Sequence, residues 1–126
     1  SFPVEFRCIE MNSIKKVIDL FKSKYLNQNL TVDEFLWQDA TKMDNSLMKL
    51  IQNECQKCNV PYLIMPSGAG HDCINMARFT PSAMLFIPSI NGISHSIDEY
   101  SKPKDIELGA NILLNTLFEI DQKGKI

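Results

Sequence analysis

Two short, unbroken apolar runs, Tyr62-Leu63-Ile64-Met65 and Met84-Leu85-Phe86-Ile87, constrain the fold of this chain more than any other feature. Runs without polar alternation suit strands covered on both faces, as in the parallel or mixed sheet of an α/β domain. Between them lie a glycine turn and a helical pattern from Asp72 towards Phe79. Before residue 42 the pattern is different. Residues 2 to 9 alternate, with Val4, Phe6 and Cys8 on one face and Glu5 and Arg7 on the other, which predicts a half-buried strand. Ser13 is placed to cap a helix in which Ile14, Val17, Ile18, Phe21 and Tyr25 recur at helical spacing. Residues 30 to 37 read as a second strand. The expectation is therefore a strand–helix–strand unit over residues 1–42, followed by part of a mixed-sheet α/β domain over residues 43–126.

Two further helices follow from the pattern. Asp44 or Asn45 opens one whose Leu47, Leu50, Ile51, Glu54, Cys55 and Cys58 fall near one stripe, and Pro61 stops it. The last follows Ser101 and Pro103, with Asp105 and Glu107 near its positive end and a stripe of Ile106, Ala110, Leu113, Leu117 and Ile120. With 126 residues, 44% of them hydrophobic, the chain is long enough for one modest domain or parts of two. A net charge of -2 gives no footprint for nucleic acid or an anionic membrane surface. No run approaches the ~20 apolar residues of a membrane span, and no signal-peptide pattern is present. The four cysteines, Cys8, Cys55, Cys58 and Cys73, read as reduced thiols of a cytoplasmic protein, because this apolar content builds a core without staples. A strand at residues 2 to 9 needs a partner, which predicts that the natural protein begins upstream.

Chemistry that involves histidine must pass through His71 and His95, the two in the sequence. His71 ends the segment Pro66-Ser67-Gly68-Ala69-Gly70-His71-Asp72, between an apolar run and a helix. Its glycines allow a sharp turn and a close backbone approach to a ligand, and N–H groups opening a helix attract anions. The alternative is a plain turn in which Asp72 is the N-cap. His95 follows the second apolar run in Asn91-Gly92-Ile93-Ser94-His95, where it is either a metal ligand, its far nitrogen held by Asp98 or Glu99, or a surface-loop residue. Arg7 is either a two-pronged carboxylate clamp or a solvated arginine near Glu5. Cys55-Gln56-Lys57-Cys58 has CxxC spacing, but it lies at a helix end without a second close pair, so buried small residues account for it better than zinc or redox chemistry.

Together, Met65-Pro66-Ser67-Gly68-Ala69-Gly70-His71-Asp72, Phe86-Ile87-Pro88-Ser89, Gly92-Ile93-Ser94-His95 and Glu99-Tyr100 resemble the carboxy-terminal part of the N-carbamoyl-L-amino-acid hydrolases, allantoate amidohydrolases and ureidopropionase-like enzymes. These belong to the aminoacylase/carboxypeptidase-type superfamily of two-metal hydrolases. The resemblance implies that residues 1–42 are the closing half of a lid that also dimerises, and that residues 43–126 return into the catalytic domain. It implies that His95 is the last ligand of a site holding two zinc or manganese ions. Arg7 then grips the substrate carboxylate, and Ser67, Gly68, Gly70 and His71 line the substrate. The family's remaining ligands and its general-base glutamate have no counterpart in this chain, so they are expected upstream, and the 126 residues alone are expected to be inactive. Departures from the family pattern occur at Cys73, at Ser96-Ile97 and at Glu5, where alanine, asparagine-proline and aspartate are usual. The implied substrate is a linear carbamoyl or ureido compound, and neither nucleic acid nor membrane is an expected partner. The competing reading is a non-catalytic dimerisation or binding module derived from the same family.

Overall fold

The computed structural model describes residues 4–25 and 36–124. In order, the chain forms α1 (Met11–Tyr25), α2 (Asn45–Lys57), α3 (Asp72–Met76), a short 3-10 turn (Ile90–Gly92) and α4 (Pro103–Lys123). No strand occurs among the described residues. This overturns the expected mixed-sheet α/β architecture and the strand–helix–strand reading of the first segment. Residues 4–9, 62–65 and 84–87 have no ladder partner, and Leu63 is 80% exposed. An apolar run signals a tendency to be covered, whereas a strand exists only where a second backbone pairs with it. The strand expected at residues 30 to 37 lies mostly outside the described residues, and residues 36–37 are not in one.

The described chain divides into two compact units. The first comprises the described residues up to Lys42 together with Met65–Gly70; the second comprises Met43–Ile64 and the described residues from His71 onward. In the first unit α1 begins at Met11, and Ser13 is already inside it, its amide donating to Glu10 O at 3.0 Å, so Ser13 is not the cap. The inner face of α1 is Ile14, Ile18, Phe21 and Tyr25, none of them fully buried, and Val17, expected in the same stripe, is exposed. Phe21 stacks edge-on with Phe6 at 6.0 Å between centroids and tilts against Tyr25 at 4.9 Å. The Phe6–Phe21 contact seats the segment that carries Arg7 on the helix.

In the second unit α2 packs on α4. Asp44 caps α2, its Oδ1 accepting from the amides of Ser46 and Leu47, each at 2.9 Å, and from the Ser46 hydroxyl. These bonds hold the Asp44 carboxyl below its usual range, the Ser46 hydroxyl foremost. Cys55 and Glu54 are buried on α2, and Ile112 and Thr116 on α4. Lys57 bridges the two helices, reaching Glu54 Oε1 at 2.6 Å and Glu119 Oε1 at 2.7 Å. Cys58 is exposed, contrary to the expectation that both thiols of the CxxC pair are buried.

The face that α4 buries also differs from expectation. Ile106, Leu113 and Leu117 are each about half exposed, while Gly109, Ile112 and Thr116 point inward. Apolar residues surround this helix, so hydrophobicity does not choose the face. The small residues do: a Cβ on Gly109 would stand 2.5 Å from Ile87 Cγ2, and Thr116 turns its hydroxyl back onto Ile112 O at 2.8 Å. Gly124, left-handed at φ 73°, closes α4 with its amide on Asp121 O.

Candidate functional site

Arg7 and the glycine loop come together within the first unit. Arg7 Nη1 donates to Gly68 O at 2.9 Å, tying the segment before α1 to a loop 61 residues away. Its Nε and Nη2 donate to Glu5 Oε1 at 2.8 Å and Oε2 at 3.1 Å, a two-pronged pair between residues two apart in the chain. Arg7 holds the Glu5 carboxyl below its usual range, and Glu5 raises the guanidinium in turn. The loop is shaped by Ser67, whose hydroxyl donates to Ala69 O at 3.0 Å and accepts the Ala69 amide at 3.2 Å. Arg7 takes the carbonyl of Gly68, the residue enclosed by these two bonds. At Gly70 a Cβ would lie 3.4 Å from Gln38 Oε1, so a side-chain amide stands beside the loop. The sequence singled out neither Gln38 nor an active part for Glu5, since nothing local joins residue 38 to residue 70.

His71 and His95 belong to the second unit. His71 is the N-cap residue of α3 in extended conformation, without a side-chain capping bond, and its ring meets Phe86 edge-on at 5.6 Å. Its imidazole is exposed, whereas Asp72 is already helical and is not the cap. The His95 loop is pinned at both ends: Ile90 donates its amide to Tyr100 O at 2.8 Å, and Ser89 Oγ donates to Ile93 O at 2.5 Å. Asn91, Gly92 and His95 all take left-handed backbone, at φ 57°, 66° and 56°. A left-handed non-glycine residue is strained unless its surroundings hold it. For His95 the holder is Glu99, whose Oε2 accepts the His95 amide at 2.8 Å. Glu99 was expected on the imidazole; it instead fixes the backbone that carries it. Asp98 contributes only an amide, which donates to Ser96 Oγ.

These arrangements supply a cation beside a polar loop in one unit and a presented imidazole in the other. Among the described residues no three His, Cys, Asp or Glu side chains group closely enough to hold a metal ion. The described residues by themselves therefore do not complete a metal site. No helix among the described residues is long and apolar enough to cross a membrane.

Residues 8–119 match the model of peptidase family M20/M25/M40. The chain is 35% identical over 73% of its length to allantoate amidohydrolase of Escherichia coli, covering 23% of that protein. It is 29% identical over 79% of its length to N-carbamoyl-L-amino acid amidohydrolase of Geobacillus stearothermophilus, covering 24% of it. It is 33% identical over 81% of its length to ureidoglycolate hydrolase of Oryza sativa subsp. japonica, covering 22% of it. The chain thus spans about a quarter of the length of these relatives. With the family match extending over most of the chain and relatives of this likeness beside it, the protein belongs to the peptidase family M20/M25/M40.

Proposed function

We propose that this chain is part of a divalent-metal amidohydrolase acting on linear carbamoyl or ureido compounds that carry a carboxylate. The observation that carries the reading is the Arg7 guanidinium fixed on the Gly68 carbonyl of the Ser67–Ala69 turn, a cation set beside backbone polar groups. The names of the relatives support the substrate class: allantoate, N-carbamoyl-L-amino acids and ureidoglycolate each combine a carbamoyl or ureido group with a carboxylate. In this reading Arg7 binds the carboxylate, and Ser67, Gly68, Gly70 and His71 line the substrate. His95 offers one imidazole to a zinc or manganese ion whose other ligands come from outside this chain. Such a metal lowers the pKa of a bound water and polarises the scissile carbonyl. The chain's own part is to present His95 on a pinned loop and to orient the carboxylate. Residues 1–42 belong to a lid that also dimerises, and residues 43–126 to the catalytic domain.

The test is a chimera in which this chain replaces the matching quarter of the Escherichia coli allantoate amidohydrolase. The chimera should hydrolyse allantoate in the presence of Mn²⁺ or Zn²⁺. His95→Ala should lower metal content and turnover together, and Arg7→Met should raise KM. The isolated 126 residues should show no turnover. Full metal content and activity in the His95→Ala chimera would refute the assignment.

A further inference from the structure

Resting on the reading of Arg7 as the carboxylate-binding group, the structure adds something about the residue beside it. A guanidinium has five N–H donors, and its Nε/Nη2 edge matches a planar carboxylate. In this chain Glu5 already occupies that edge with both oxygens, at 2.8 and 3.1 Å. A separate contact, Nη1 to Gly68 O at 2.9 Å, ties the group to the loop through an atom that Glu5 does not use. Glu5 is only two residues away in the chain, so no loop has to close for the pair to form. Both side chains are largely exposed, at 68% for Glu5 and 61% for Arg7. A pair this exposed resists displacement by a factor of only about five at most.

We propose that Glu5 is an internal competitor for the Arg7 edge, so that a substrate carboxylate binds by displacing Glu5 while Gly68 keeps the guanidinium in place. Glu5 thereby sets the affinity for carboxylate substrates and makes the site answer to them. A ligand without a carboxylate has nothing with which to drive the exchange. No covalent step is involved, only the replacement of one carboxylate by another.

The experiment uses the 126-residue chain labelled with ¹⁵N, following the Arg7 Nε–Hε signal during titration with N-carbamoylglycine and, separately, with its uncharged amide. N-Carbamoylglycine should move the signal and the amide should not. Glu5→Gln and Glu5→Ala should each tighten N-carbamoylglycine binding about two- to fivefold, and Arg7→Met should abolish it. If Arg7→Met abolishes binding while both Glu5 variants weaken it or leave it unchanged, Arg7 remains the clamp and Glu5 is no competitor. If N-carbamoylglycine binds without regard to Arg7, or does not bind to the chain or either Glu5 variant, the clamp reading falls and the inference with it.

Discussion

Gly109→Ala isolates the contact that sets α4 against the segment leading into the His95 loop. Alanine is favoured over glycine in a helix interior by about 1 kcal/mol, so on propensity alone the change stabilises α4. The packing opposes it. The new Cβ would meet Ile87 Cγ2 at 2.5 Å, about 1 Å inside normal carbon contact, with Ile87 Cβ at 3.9 Å behind it. Ile87 is β-branched and stiff about χ1, so its methyl cannot swing away freely. Overpacking of this kind costs about 1–3 kcal/mol, and the partial exposure of Ile87 relieves some of the overlap outward. The net expectation is a loss of up to about 2 kcal/mol. In an Ile87→Ala background the offending methyl is gone, and Gly109→Ala should then stabilise by up to about 1 kcal/mol. Urea unfolding of the four proteins, followed by far-ultraviolet circular dichroism, measures the cycle. The sign reversal is the diagnostic result. Equal stabilisation in both backgrounds would show that α4 does not rest on Ile87. Because Ile87 leads directly to Pro88 and Ser89, whose hydroxyl closes the His95 loop, the single variant should also shift the amide resonances of residues 90–95.

Acid should loosen the second unit in a defined direction. Glu119 is held below its ordinary 4.5 by Lys57 first and Lys123 second, and Asp44 below its ordinary 3.8 by its capping bonds. Folded-state values lower than unfolded ones mean that the stabilisation is complete above the unfolded values and is lost as pH falls through the folded ones. Urea midpoints should be flat from neutral pH to about 5 and should fall below about 4; Glu119→Gln and Asp44→Asn should each flatten that fall, and a midpoint that rises on acidification would contradict the ion-pair and capping contacts. The cysteines should separate by exposure. Burial, with Cys58 adding to it, pushes the Cys55 thiol up, while Cys8 and Cys58 are exposed. Iodoacetamide should label Cys8 and Cys58 in the folded chain and Cys55 only after unfolding, whereas rapid labelling of Cys55 would show that the α2–α4 contact is open.

What the sequence made legible divides by distance along the chain. The start of α2 was readable because its cap needs only Asp44, Ser46 and Leu47, all within three residues. The inner face of α1 was readable in part for the same reason, since helical spacing alone brings Ile14, Ile18, Phe21 and Tyr25 together, while Val17, expected with them, is exposed. Strands were not, because the apolar character of residues 62–65 and 84–87 says nothing about which backbone pairs with them, and among the described residues none does. The face of α4 was misread because leucines and isoleucines lie all round it. The choice fell to Gly109, whose missing side chain matters only through Ile87. The candidate site follows the same rule. Alternation put Glu5 and Arg7 on one side of the chain, and the glycines marked the loop, but the bond from Arg7 to Gly68 spans 61 residues and left no local trace. Glu99 shows the subtler case. Its spacing from His95 was seen, and only the three-dimensional loop reveals that it holds the amide rather than the ring. The carboxylate therefore governs where the imidazole stands by fixing a left-handed backbone, and replacing Glu99 perturbs His95 through its geometry rather than through its ring hydrogen bonds.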